Sequence, residues 1–271
     1  MSDTQPVGKP GLEGSMFLFT KPALLNKEQH GNKGVTRPER PFAFAENIRA
    51  VPLTLSEVPS ASRHYPVIFS EASSALPLAV VGIIDDENLF IEKDGTWAEH
   101  VYVPGYLRRY PFALANDRNS APDNQRMAMI VDEGYEGVQD DGELKFFNPD
   151  GQPSDAMKQA MEYCQTYERD RQMTMQFSQE LLKYDILAEQ VAQFTPDGAP
   201  QPMPFAKYIG VEENRLAELS DEKYLQLRKS NILPILYAQL MSMGNWRSLM
   251  ERRAQRHELK GEDVLKSLKA S

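Results

Sequence analysis

The chain has 271 residues, 41% of them hydrophobic and 25% charged, an ordinary globular balance with room for one large domain or two small ones. Its net charge of −9 argues against a duplex nucleic-acid binder, because phosphate contacts need a concentrated basic face. A single cysteine, Cys164, excludes an internal disulfide framework and any cysteine-based zinc site.

Residues 1–47 read as an extended, partly disordered N-terminal arm. The first fifteen are polar and rich in glycine and proline. Residues 16–47 carry Pro22, Pro38 and Pro41 with Gly31 and Gly34, set among Lys27, Lys33, Arg37 and Arg40. A solvated loop is the plainer meaning and a docking arm the sharper one. The stretch Met1–Gly14 is polar, and Met16-Phe17-Leu18-Phe19 is too short for the apolar core of a signal peptide. No apolar run approaches the ~20 residues that cross a bilayer. The expectation is a soluble, cytoplasmic protein with no membrane span, non-classical export staying open.

Residues 48–250 read as a single α+β domain, with a curved, mainly antiparallel sheet over 50–147 packed against C-terminal helices. Val67-Ile68-Phe69 and Leu78 to Ile84 are strand-like runs, the second long enough to be buried on both faces. Asp85-Asp86 supplies a turn, and Leu89-Phe90-Ile91 is expected as a third strand. Lys93-Asp94-Gly95 makes a further turn suited to positive φ, with Trp97 beyond it. Val103-Pro104-Gly105 opens a short helix through Arg109 that Pro111 ends. Phe112–Ala115, Met127–Val131 and Leu144–Phe147 read as strands, with a polar loop from Asn116 to Gln125.

Asn148-Pro149-Asp150-Gly151 marks a change of period. Ser154 or Asp155 caps a helix that carries Ala160, Met161, Cys164 and Tyr167, then Met173, Phe177, Leu181 and Tyr184 after a bend near Asp170. Cys164, among Met157, Ala160 and Met161, reads as a buried apolar thiol. The helical stretch is expected to close at Thr195–Pro200, and Phe205–Val211 to return to the sheet. Ser220-Asp221 caps a short helix through Arg228. A final helix from Pro234 presents Leu236, Leu240, Met243, Trp246 and Met250 as one apolar stripe. Residues 251–271 are a basic helical tail with Arg252, Arg253 and Arg256.

These landmarks resemble the SapC family of bacterial proteins. The resemblance is carried by Tyr65-Pro66-Val67-Ile68-Phe69, Glu87-Asn88-Leu89-Phe90, Gly95-Thr96-Trp97 and the run from Tyr102-Val103-Pro104 to Arg108-Arg109-Tyr110-Pro111-Phe112. Gly210-Val211-Glu212-Glu213 and the helix with Tyr237 to Leu240 and Ser242-Met243 add to it, over residues 45 to 250. The resemblance implies an association with a bacterial surface layer, and neighbours of halogenase-like or oxygenase-like type. It implies no reaction and defines no catalytic residues. A peptide-transport permease shares the name, and the lack of apolar spans sets this chain apart from it.

The candidate ligand-binding residues are Trp97, Tyr102, Tyr106, Arg108, Arg109 and Tyr110. Arginine forks grip carboxylate or phosphate bidentately, and the rings offer stacking faces. The plainer reading pairs one arginine with an acid of Asp85-Asp86-Glu87 and leaves the rings in the core. His30, His64, His100 and His257 have no metal-ligand spacing, and the acidic run from Asp132 to Glu143 lacks the ordered spacing of a calcium loop, so no metal and no cofactor are expected. No phosphate-cradling glycine loop or nucleophile elbow occurs, and no catalytic residue is assigned. The expected function is a non-enzymatic binding or accessory protein that recognises a protein partner, as a peptide, or a small anionic ligand. The alternatives are a surface-layer component and an enzyme without a recognised motif.

Overall fold

A computed structural model describes residues 16–71, 73–116 and 127–268. The expected disordered residues 1–15 lie outside these, as does the expected polar loop from residue 117 onward. In chain order the elements are β1 (Pro22–Leu24), α1 (Lys27–His30), β2 (Lys33–Val35), β3 (Ala50–Pro52), α2 (Val58–Ala61), β4 (Val67–Phe69) and β5 (Pro77–Val80). Next come α3 (Gly105–Arg108), β6 (Phe112–Asn116), β7 (Met127–Asp132), β8 (Val138–Asp140), β9 (Leu144–Lys145) and α4 (Asp155–Leu182). The rest are β10 (Leu187–Phe194), β11 (Met203–Val211), α5 (Glu213–Ala217), α6 (Asp221–Lys229), α7 (Leu233–Ser242) and α8 (Asn245–Arg256). The class is α+β with antiparallel sheets and C-terminal helices. No helix among the described residues is long and apolar enough to cross a membrane.

The chain forms two compact units. The first takes in residues up to Phe44 and Arg109–Glu168; the second takes in Ala45–Arg108 and everything from Arg169 on. Among the described residues the expected single sheet is in fact three.

The first unit holds two three-stranded sheets, β1-β7-β6 and β8-β2-β9. Both draw a strand from residues 16–44, which the sequence pattern reads as an extended arm. β2 is the middle strand of its sheet, with Val35 opposite Val138 on one side and Leu144 on the other. Its glycine disguises it: a Cβ on Gly34 would lie 2.7 Å from the carbonyl oxygens of Gly142 and Leu144, so only glycine lets three backbones approach this closely. The core gathers Met129, Val131, Val138, Phe146, Met157 and Cys164, all less than one-tenth exposed. Burial pushes the Cys164 thiol up to about 11. The Ser154 hydroxyl accepts the Met157 N–H at 3.1 Å, capping α4, which then runs unbroken to Leu182.

The second unit is built on the sheet β10-β11-β4-β5-β3. Val51, Val67, Phe69 and Ala79 are essentially sealed within it. α7 packs on β4, β11 and α2, while α8 packs on β10. β11 meets β4 at the single register pair Ile209↔Phe69, so their backbones need other partners. α7 supplies them: buried Gln239 donates to the Val67 carbonyl at 3.1 Å and accepts the Val211 N–H at 3.2 Å, and Ser242 Oγ accepts the Val67 N–H at 2.9 Å.

Three expectations for this unit change. The helical stretch expected to run to Thr195 stops at Leu182, Asp185 turns with φ of 51°, and β10 follows, paired along its length with β11. The expected final helix is two, interrupted at Met243-Gly244, where glycine weakens helical continuity. Leu89-Phe90-Ile91 is not a strand; only an isolated bridge joins Ile91 to Trp97. The Leu89 N–H and the Phe90 carbonyl pair with the backbone of Val81 and Ala98, and side chains supply most of the other partners that a strand would take. Asn88 Oδ1 accepts the Phe90 N–H at 3.0 Å, and Arg256 donates to the carbonyls of Asn88, Leu89 and Ile91 at 2.8, 3.1 and 2.7 Å.

Candidate functional site

Within the second unit, the turn at Asp94-Gly95-Thr96 starts the site. Gly95 has φ of 76°, and Asp94 Oδ1 accepts from the Thr96 N–H at 2.9 Å and its hydroxyl at 2.7 Å. Trp97 then turns inward, its ring stacked 6.2 Å from Phe90, which meets Tyr65 edge-on at 4.7 Å. Tyr65 is fully buried and its hydroxyl donates to the Tyr102 carbonyl. Burial pushes this phenol far above its ordinary value, so it stays a donor.

Glu57 is the hub from which Tyr102 and Arg108 are placed. Its Oε2 accepts the N–H and the hydroxyl of Thr54, both at 2.8 Å, closing a capping box on the 3₁₀ turn Leu55–Glu57. Its Oε1 accepts the Tyr102 hydroxyl at 2.9 Å and the Gly105 N–H at the start of α3. Arg108 Nη2 donates to the Tyr102 oxygen at 2.9 Å, lies 4.0 Å from Glu57 Oε1, and its guanidinium carbon sits 5.3 Å over the Tyr102 ring. A chain of hydrogen bonds therefore runs from the buried Glu57 carboxylate through Tyr102 to the Arg108 side chain, which is 45% exposed. Tyr106, on α3, is half-buried.

Arg109 and Tyr110 fall in the first unit. Arg109 lies 5.0 Å over the Tyr167 ring and 5.7 Å over Phe19, and donates to the Phe112 carbonyl at 3.4 Å. Tyr110 stacks on Phe44 with centroids 3.8 Å apart, and its hydroxyl donates to Asp132 Oδ2 at 2.8 Å. Burial first, and Asp132 second, push its phenol far up. Asp132 is sealed from solvent and also accepts the backbone N–H groups of Thr20 at 2.8 Å, Lys21 at 2.7 Å and Gly134 at 3.0 Å. A carboxylate so occupied is an anchor for the chain around it.

Asp85 and Glu87 find a different arginine from the one expected, while Asp86 lies 3.2 Å from Arg49. Arg253 of α8 is 1% exposed and reaches Asp85 at 2.9 Å and Glu87 at 3.1 Å through Nη1, with the Val264 and Lys266 carbonyls at 3.0 and 2.7 Å. His257 Nε2 lies 2.9 Å from both Glu87 oxygens. Burial opposes the charge on Asp85, yet the Ser267 hydroxyl, the Leu268 N–H and Arg253 hold its carboxyl down at about 2. The partners Arg253, Arg256 and His257 were hidden from the sequence, where the two arginines read only as part of a basic helix end. The signal was their spacing: positions 253, 256 and 257 share one helical face.

A cleft of about 390 Å³ opens in this unit between the end of β10, α8 and the 3₁₀ turn Gly261–Leu265, with Phe194, Thr195, Arg247 and Lys260 in its walls. None of the six sequence-selected residues lines it. Among the described residues no group of three or more His, Cys, Asp or Glu side chains is placed to hold a metal ion.

No curated protein and no solved structure matches the chain. The SapC family model matches residues 25–249, a span that overlaps both units and includes the six sequence-selected residues. The chain belongs to the SapC family.

Proposed function

We propose that this chain is a non-enzymatic binding or accessory protein that recognises a peptide or a small anionic molecule, with Arg108 as the principal contact and Tyr102 and Tyr106 beside it. The observation that carries the reading is the ladder Arg108–Tyr102–Glu57. It holds a planar cationic fork in a fixed orientation while leaving almost half of that side chain in solvent. Pre-organisation of this kind lowers the ordering cost of gripping a carboxylate or phosphate. Trp97 backs the ladder through Phe90 and Tyr65. Arg109 and Tyr110, on the same run of sequence, support the first unit by holding its rings and Asp132.

A catalytic reading draws little from the geometry. The carboxylates it would use, Glu87 and Asp132, are committed to Arg253 and His257, and to backbone donors and Tyr110. A cytoplasmic setting agrees with a lone, buried thiol.

The test is a pull-down from the native organism with wild-type protein and with Arg108→Gln, analysed by mass spectrometry for proteins and small molecules. A species retained by the wild type and lost at least about tenfold by the variant supports the reading. Equal retention of every captured species by both proteins removes it.

A further inference from the structure

A second cationic cluster lies in the same unit and shares none of its cations with the Arg108 ladder. Asn245, at the start of α8, donates to the carbonyls of Ser62 at 2.8 Å and Tyr65 at 2.9 Å, which fastens the Ser62–Tyr65 segment to the helix. Arg252 is seven residues further on and so returns to the face that Asn245 occupies. Its guanidinium carbon sits 4.5 Å over the Phe90 ring, Phe90 packs edge-on to Tyr65 at 4.7 Å, and the His64 ring lies 6.1 Å from that of Tyr65. The Asn245 anchor and the row of rings Phe90, Tyr65 and His64 therefore hold the Arg63-His64 segment against the face of α8 that carries Arg252, near enough for both guanidinium charges to act on His64.

The cluster is poorly neutralised. Arg63 is exposed and has no carboxylate within ion-pair distance among the described residues. Arg252 has Glu92 at 4.0 Å, the outer limit of an ion pair. Tyr65, the other titratable group against His64, is held as a neutral phenol by burial. Burial first, and then the charges of Arg63 and Arg252, lower the His64 pKa. In a chain of net charge −9 such a local excess of positive charge needs a reason.

We propose that Arg63, His64 and Arg252 form an oxyanion site for a phosphate monoester. Two guanidinium forks and an imidazole offer more donors than the two oxygens of a carboxylate can use, whereas the three terminal oxygens of a tetrahedral dianion match them. Buried rings beneath Arg252 give the site a low-dielectric wall on one side, which strengthens each contact. A dianion between the two arginines reverses the field on His64 and draws a proton onto it, so occupancy tightens as pH falls.

The site uses different donors from those of Arg108, so either can fail alone. The full chain is titrated with inorganic sulfate, a dianion whose own charge stays fixed while His64 titrates, with chloride controls of equal ionic strength. The His64 imidazole resonance is followed by NMR and assigned with His64→Gln. Sulfate is expected to raise the His64 pKa, and Arg63→Gln and Arg252→Gln each to weaken sulfate binding about tenfold. Arg63→Gln removes no internal contact and so carries the test where Arg252→Gln disturbs the cover of Phe90. A His64 titration that chloride shifts as much as sulfate, or an Arg63→Gln protein that binds sulfate like the wild type, overturns the proposal. Phenyl phosphate and vesicles containing phosphatidic acid then separate a soluble monoester from a lipid headgroup. Binding to either supports the site, and binding to neither refutes it.

Discussion

Arg253→Met tests whether the acids of the 85–87 turn are held by a buried ion network. Methionine keeps most of the apolar stem and removes the guanidinium, leaving Asp85 and Glu87, with 8% and 19% side-chain exposure, without their shared cation. It also strands the carbonyls of Val264 and Lys266. Breaking a buried pair on one side costs about 3–5 kcal/mol, mostly as uncompensated buried charge. Both tryptophans, Trp97 and Trp246, lie in the second unit, so intrinsic fluorescence during urea unfolding reports on that unit alone. With a slope near ~2 kcal/mol per molar urea, the midpoint should fall by about 2 M. Asp85 adds a pH signature. Its pKa is depressed from 3.8 to about 2, so its contribution is present above the unfolded value and is lost as pH falls through the folded one. That amounts to about 2 kcal/mol of acid sensitivity, expected between roughly pH 4 and pH 2 and expected to shrink in Arg253→Met. A loss below about 1 kcal/mol, the range of an exposed ion pair, would refute the reasoning, as would an unchanged acid limb.

Gly82→Ala should cost about 1–3 kcal/mol, because a Cβ there would stand 1.8 Å from the Glu87 carbonyl oxygen and force the turn apart. Urea unfolding read on the same tryptophans checks it, and a wild-type midpoint contradicts it. Cys164, with its thiol raised to about 11 by burial, should react with an aromatic disulfide reagent at pH 8 about a hundredfold more slowly in the native protein than in urea. Comparable rates in the two states would place the thiol at the surface.

The sequence was most legible where local chemistry and burial agree. Phe112–Ala115 and Met127–Val131 are apolar runs that pair as β6 and β7, Ser220 caps α6 through the Lys223 N–H, and Cys164 lies in the core that its neighbours announce. It misled where long-range partners overrule local signals. Lys33-Gly34-Val35 carries a glycine that reads as a loop, yet the glycine is what admits β2 between two other strands. Leu89-Phe90-Ile91 has strand composition, but Arg256, more than 160 residues away, takes its carbonyls. The ladder at Arg108 was half visible. Tyr102 and Arg108 were singled out, while Glu57, the acid that holds them, was not. Period and propensity do not encode which acid meets which arginine, and Arg253 shows it.

The chain passes from one unit to the other between residues 44 and 45, again between 108 and 109, and last between 168 and 169, inside the unbroken helix α4. Each unit is thus stitched from two separate lengths of polypeptide, and no single cut releases either one whole. During synthesis the strands β3, β4 and β5 emerge long before β11 and α7, the partners that complete their sheet. The second unit must wait, half made, until residues 109–168 of the first have been synthesised.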